Sequence, residues 1–131
     1  MVEDRITDGR RIAQLLASEL DGREDGELDA VAVTNVDRDV EPSADGARAY
    51  DVTRVRDGSE SGRLARVFVH EDRVRLEFEI EQEIAAEAGE AVELRVRPKA
   101  SDPPRTLVFV ESAAAVKRAT DVVQAVLQER P

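Results

Sequence analysis

Val74, Leu76, Phe78 and Ile80 alternate with Arg75, Glu77, Glu79 and Glu81. Successive side chains leave a strand on opposite sides, so this period of two predicts a β-strand with one dry face and one wet face. Burying the four apolar side chains at about 1.5–3 kcal/mol each contributes roughly 6–12 kcal/mol, an upper bound because the unfolded chain already hides some of that area. A chain built round such a segment must supply a layer to cover the dry side.

The flanks offer two such layers. Residues Thr7 to Leu20 predict a helix, with Ile12, Leu15, Leu16 and Leu20 at helical spacing, Ile6 and Ala13 alongside, and Asp21-Gly22 as its stop. Thr7 or Asp4 would cap its start, and Asp8 suits the positive end of its dipole. Ala113 to Gln128 predicts a second helix, capped by Ser112, with Val116, Ala119, Thr120, Val123, Val126 and Leu127 as its apolar stripe.

Between them the sequence predicts strands. Leu28 to Val36 is the first, and Asp37 to Ala47 is a loop containing Pro42 and Asp45-Gly46. Arg48 to Arg56 is the second, and the step of three from Val52 to Val55 suggests a bulge. Asp57 to Gly62 reads as a link, Arg63 to His70 as the third strand, and His70 to Arg73 as a tight loop into the fourth. Glu81 to Ala88 is either a short helix or an extension of the fourth strand. Ala91 to Arg97 is a fifth strand, Pro98 to Pro104 a loop, and Thr106 to Val110 an interior strand, apolar on both faces. Such an order predicts a single α+β domain over residues 1–131: one antiparallel sheet of five to six strands, with the N- and C-terminal helices packed on one face. In element order alone the chain resembles the type III secretion chaperone-like folds, and that resemblance implies a tendency to dimerise. It matches no motif and assigns no residue.

Composition excludes several chemistries. With no cysteine and one histidine among 131 residues, disulfides, thiolate metal sites and histidine-rich zinc sites are ruled out. The longest apolar runs are too short to cross a bilayer, and the charged start lacks the apolar segment of a signal peptide, which points to a cytoplasmic protein without membrane contact. The net charge is −10, from 29 acids and 19 bases, and the bases are arginine apart from Lys99 and Lys117. This acidic, lysine-poor, arginine-rich composition resembles that of haloarchaeal cytoplasmic proteins, whose carboxylates keep a hydrated surface in molar salt.

Four groups are candidates for chemistry. Asp37, Asp39 and Glu41 stand at alternate positions as in a calcium loop, but Pro42 occupies the glycine position and Arg48 that of the bidentate glutamate, so a solvated loop is the expectation. Glu77, Glu79, Glu81 and Glu83 lie on the wet side of the central strand and are expected to pair across strands with Arg95 and Arg97 rather than act as an acid–base pair. His70, with no nucleophile implied nearby, reads as a turn residue. Arginines make residues 48–75 net +2, whereas residues 1–47 are net −8 and residues 76–131 net −4. Arg54, Arg56, Arg63, Arg66, Arg73 and Arg75 are therefore the candidate binding residues, for phosphate or nucleic acid.

No catalytic constellation, phosphate-cradling glycine loop, cofactor motif or metal set is present. The leading expectation is a non-catalytic module that binds another protein or itself, because a strand apolar on both sides needs cover that a second subunit would supply. Nucleic-acid or phosphate-ligand binding through residues 48–75 is the alternative, and a small carboxylate- or His70-dependent enzyme a third.

Overall fold

The structure, a computed structural model, describes residues 8–22, 31–101 and 103–129. The elements run α1 (Gly9–Gly22), β1 (Val31–Thr34), β2 (Ala47–Arg56), β3 (Ser59–Val69), β4 (Val74–Phe78), α2 (Gln82–Ala91), β5 (Val96–Lys99), β6 (Arg105–Val110) and α3 (Val116–Glu129). The strands form one antiparallel sheet in the order β1-β2-β3-β4-β6-β5, so the last strand inserts between β4 and the edge strand β5.

The alternation of β4 decides the core. Val74, Leu76 and Phe78 are fully buried on one side. Register places Val69 and Val110 beside Val74, and Val67 and Val108 beside Leu76, so the apolar rows continue across three strands. The helices cover that side with Ile12, Leu16 and Leu20 of α1, Ala85 of α2, and Val116, Ala119, Thr120, Val122, Val123, Val126 and Leu127 of α3, all buried. The expected α+β architecture is thus what forms, with α2 as a third helix in the layer. Gly89 of α2 sits against the side chains of Val96 and Val108, where a Cβ would come within 2.6 Å of Val96. That glycine lets the helix lie close to the sheet, and α2 runs past it to Ala91.

Local chemistry explains the boundaries. Asp8 caps α1: its carboxylate accepts from the Arg11 backbone N–H at 3.2 Å and its carbonyl from Ile12. The caps expected at Asp4 and Thr7, and the strand start at Leu28, lie outside the described residues. Pairing in β2 slips at Arg48/Tyr50, Val52/Thr53 and Arg54/Val55, which is the irregularity the step from Val52 to Val55 implies. The β3–β4 loop does span His70 to Arg73, closed by the His70 N–H on the Arg73 carbonyl.

Four sequence readings are corrected. Asp57 to Gly62 is not a link: Asp57 (φ 54) and Gly58 (φ 79) alone make a two-residue turn, and β3 begins at Ser59. Both positive φ angles match the Asp-Gly hairpin turn that follows the twist of the strands. The fifth strand is Val96–Lys99 rather than Ala91 to Arg97, because α2 runs on to Ala91 and Glu93 turns left-handed (φ 63). Pro98 is tolerated in that strand because it lies at the sheet edge. Ser112 makes no side-chain cap; a 3₁₀ turn, Ala113–Ala115, leads into α3 instead. Finally β4 ends at Phe78, and Glu81, left-handed at φ 49, starts α2.

Candidate functional site

The face of the sheet turned away from the helices carries the charge. Register lays its side chains in transverse rows. One row runs Thr34, Asp51, Arg66, Glu77, Leu107, Arg97 across six strands. The next runs Arg48, Phe68, Arg75, Phe109. A third pairs Thr53 with Arg63 on one flank and Arg105 with Lys99 on the other.

Arginine roofs this face in place of a second layer. The guanidinium of Arg75 lies 4.3 Å from the centre of the Phe68 ring, and that of Arg95 lies 4.4 Å from Phe109, with Arg73 at 5.9 Å on the same ring. Leu107 and Phe109 are buried as a result. The cover that β6 needs on its second side therefore comes from side chains of this chain, and a second subunit is not required for it.

Glu77 anchors the roof. It is 2% exposed and accepts from Arg75 Nε at 2.7 Å and Arg105 Nη1 at 2.8 Å. Burial alone would raise its pKa, but the two guanidinium hydrogen bonds outweigh it and hold the carboxyl below its usual range. Glu79 is held more loosely, 3.8 Å from Arg63 and 3.5 Å from Arg66. Cross-strand pairing of the acids is thus present, but with different partners from those expected: Arg95 pairs with Glu111 at 3.6 Å.

The candidate arginines separate. Arg63, Arg66 and Arg75 share the open face, and Arg73 flanks it beside Phe109. Arg54 points to the helical side, donating to the Leu127 carbonyl at 3.1 Å, and Arg56 is exposed at the β2–β3 hairpin end. Arg95 and Arg97, expected on the wet side as partners of the acids, are on this face, and Arg48, Lys99 and Arg105 join it without having been candidate binding residues. The signal for Arg105 was present, since it shares the parity of Leu107 and Phe109.

His70 is the turn residue expected, and it is buried. Its Nδ1 lies 3.0 Å from the Ala44 carbonyl and its Nε2 2.8 Å from Arg75 Nη1. Nδ1 therefore carries the proton and Nε2 accepts from the arginine. Burial lowers its pKa, Arg73 and Arg75 lower it further, and the Ala44 hydrogen bond and Asp72 oppose them. A lowered imidazole pKa means the unfolded chain binds the extra proton first. The stability from His70 is therefore complete above about pH 6.5 and is lost as pH falls below it, while that from Glu77 is lost only below about pH 4.3. Urea midpoints measured from pH 8 to pH 5 are expected to fall below pH 6.5, and a His70→Gln variant is expected to flatten that fall.

Other candidates are committed internally. Asp37 accepts the Asp39 backbone N–H at 3.0 Å, a local turn rather than a ligand arrangement. Among the described residues no three acidic or histidine side chains converge as a metal site would require. A cleft of about 320 Å³ between α1 and the 36–40 loop has apolar walls, among them Ala13, Ala17, Val33, Val40 and Ala49, but Arg10 and Arg38 on its lining are balanced by Asp37 and by nearby Glu41, so it selects no charge. Val36, on its lining, is 48% exposed, the one large apolar side chain so exposed among the described residues. No described helix is long and apolar enough to cross a membrane.

No curated protein and no solved structure matches the chain. One family profile does, over residues 1–130, described as a family of unknown function, DUF7993. By that match, which covers nearly the whole sequence, the chain belongs to the DUF7993 family.

Proposed function

We propose that this protein is a non-catalytic binding module that holds nucleic acid by its phosphate backbone against the open face of the sheet. The observation that carries this reading is the segregation of charge. In a chain of net −10, Arg48, Arg63, Arg66, Arg75, Arg95, Arg97, Lys99 and Arg105 share one face with Asp51, Glu77, Glu79 and Glu111. Guanidinium forks match phosphate oxygens in geometry as well as sign. Both aromatic rings on the face lie under guanidinium groups, so bases find no bare ring to stack on and the contact is independent of sequence.

Self-association by strand addition is opposed at both edges. The outward N–H of Val33 on β1 is taken by Asp21 at 3.3 Å, and Pro98 on β5 has no N–H to offer. The setting we propose is a salty cytoplasm, as the composition suggests. Exposed charge alone is screened there within about 3 Å at 1 M salt, whereas partly buried groups are screened much less. Arg66, 31% exposed, belongs to the second kind.

Fluorescence anisotropy of a labelled DNA duplex tests the reading. Binding at 0.1 M KCl is expected, with affinity falling linearly in log salt at about −0.9 per phosphate contacted and equal for scrambled sequences. Absence of binding at any salt concentration would refute it. It would also favour a second reading, an acidic protein surface on the same face, which the layer of arginine over Phe68 and Phe109 suits in composition.

A further inference from the structure

The open face is not uniform, and its halves differ in how firmly the arginines are held. On one side of it, Arg75 and Arg105 both donate to Glu77 at 2.7 and 2.8 Å. Glu77 is buried at 2% exposure, and these two guanidinium groups are its hydrogen-bond donors. Turning either toward a ligand would strand a buried carboxylate, so neither is available. On the other side, Arg48, Arg63 and Arg66 approach Asp51 and Glu79 only at 3.5–4.0 Å, beyond good hydrogen-bonding distance.

Asp51, itself buried, takes no hydrogen bond from them. Its Oδ2 accepts from the Asn35 amide at 2.8 Å, and its buried Oδ1 accepts no hydrogen bond at all. Glu79, 25% exposed, is reached by water. Arg48 keeps one hydrogen bond, at 2.9 Å to the Asn35 carbonyl, which fixes its head beside Asp51. Arg63 and Arg66, 38% and 31% exposed, can therefore turn outward without breaking any hydrogen bond to a carboxylate. Three guanidinium groups round two carboxylates leave one positive charge, which matches the single negative charge of a phosphodiester.

Resting on the reading of the open face as a nucleic-acid surface, we infer that its phosphate seat is the triad Arg48, Arg63 and Arg66 over β2 and β3. Arg75 and Arg105 act only as the frame, and Arg97 and Lys99 on the edge strand make outlying contacts. The seat takes a phosphodiester oxygen between guanidinium heads, with Asp51 and Glu79 keeping those heads apart and oriented until it arrives.

The test compares two double variants of the full chain against the same labelled DNA duplex by anisotropy. Arg63→Ala with Arg66→Ala is expected to weaken binding about tenfold or more and to lower the salt slope by about one, the share of one phosphate. Arg97→Ala with Lys99→Ala is expected to weaken it less than about threefold. If the alanine pair at 63 and 66 does not fold, Arg63→Gln with Arg66→Gln keeps the stems and is measured in its place. A larger loss from the edge pair would overturn the seat while leaving the face reading intact. Failure of the unmodified protein to bind duplex would overturn both.

Discussion

Glu77→Ala is expected to destabilise the protein by about 3–5 kcal/mol, the range for removing one partner from a buried ion network. The reason is what remains behind. Arg75 and Arg105 would face each other across the space left by a carboxylate that is 2% exposed and bonded to both at 2.7–2.8 Å. Arg75 also donates to the Asp45 carbonyl at 2.8 Å and touches His70. Its displacement would therefore loosen the 43–46 loop and uncover Phe68 as well. Against a typical total stability of about 5–15 kcal/mol, a loss of that size removes a large share. Glu79→Ala is the comparison, since its pairs are long and its side chain is 25% exposed; for such surface pairs the effect is about 0–1 kcal/mol. Urea denaturation of both variants at pH 7 checks the difference. Equal losses would mean that Glu77 does not anchor the arginine layer.

Phe78→Ala is the second large effect, also about 3–5 kcal/mol, combining lost transfer energy with the cavity left behind. Phe78 is among the largest fully buried side chains, standing with Val74 and Leu76 on the helical side of β4. The same substitution at Phe68, half-buried on the open face under Arg75, should cost less, because water already reaches part of that ring. Urea midpoints at constant slope separate the two positions. A Phe68 variant that lost as much as the Phe78 variant would contradict the assignment of dry and wet faces.

Those two faces were readable at residues 74–78 because alternation there is unbroken and one side is wholly apolar. The terminal helices were readable for the same reason at helical spacing: Ile12, Leu16 and Leu20 and the expected stripe of α3 are buried, while Leu15 is half-buried and Val122 joins the core unannounced. What escaped the sequence depends on neighbours distant along the chain. Glu77 carries the same local pattern as Glu79, yet one is sealed and the other wet. The difference is Arg105, 28 residues away in sequence and one strand over in space. Val92, Leu94 and Val96 alternate as a strand should, but the Gly89 carbonyl takes the Leu94 N–H and the chain turns there instead. Arginines grouped by sequence position between 48 and 75 were a fair guide to charge and a poor one to faces. Arg54 shares a parity with Val52 and so points to the helices, whereas Arg97 and Arg105 reach the open face from elsewhere.

The most direct test of the central claim is to map, by NMR, which arginine Nε–H and backbone resonances shift when a DNA duplex is added to the full chain at 0.1 M KCl. The account predicts shifts concentrated on β2 and β3 at Arg48, Arg63 and Arg66, with the resonances of α1 and α3 unmoved. Shifts confined to the helical layer, or none while the duplex is in excess, would contradict it.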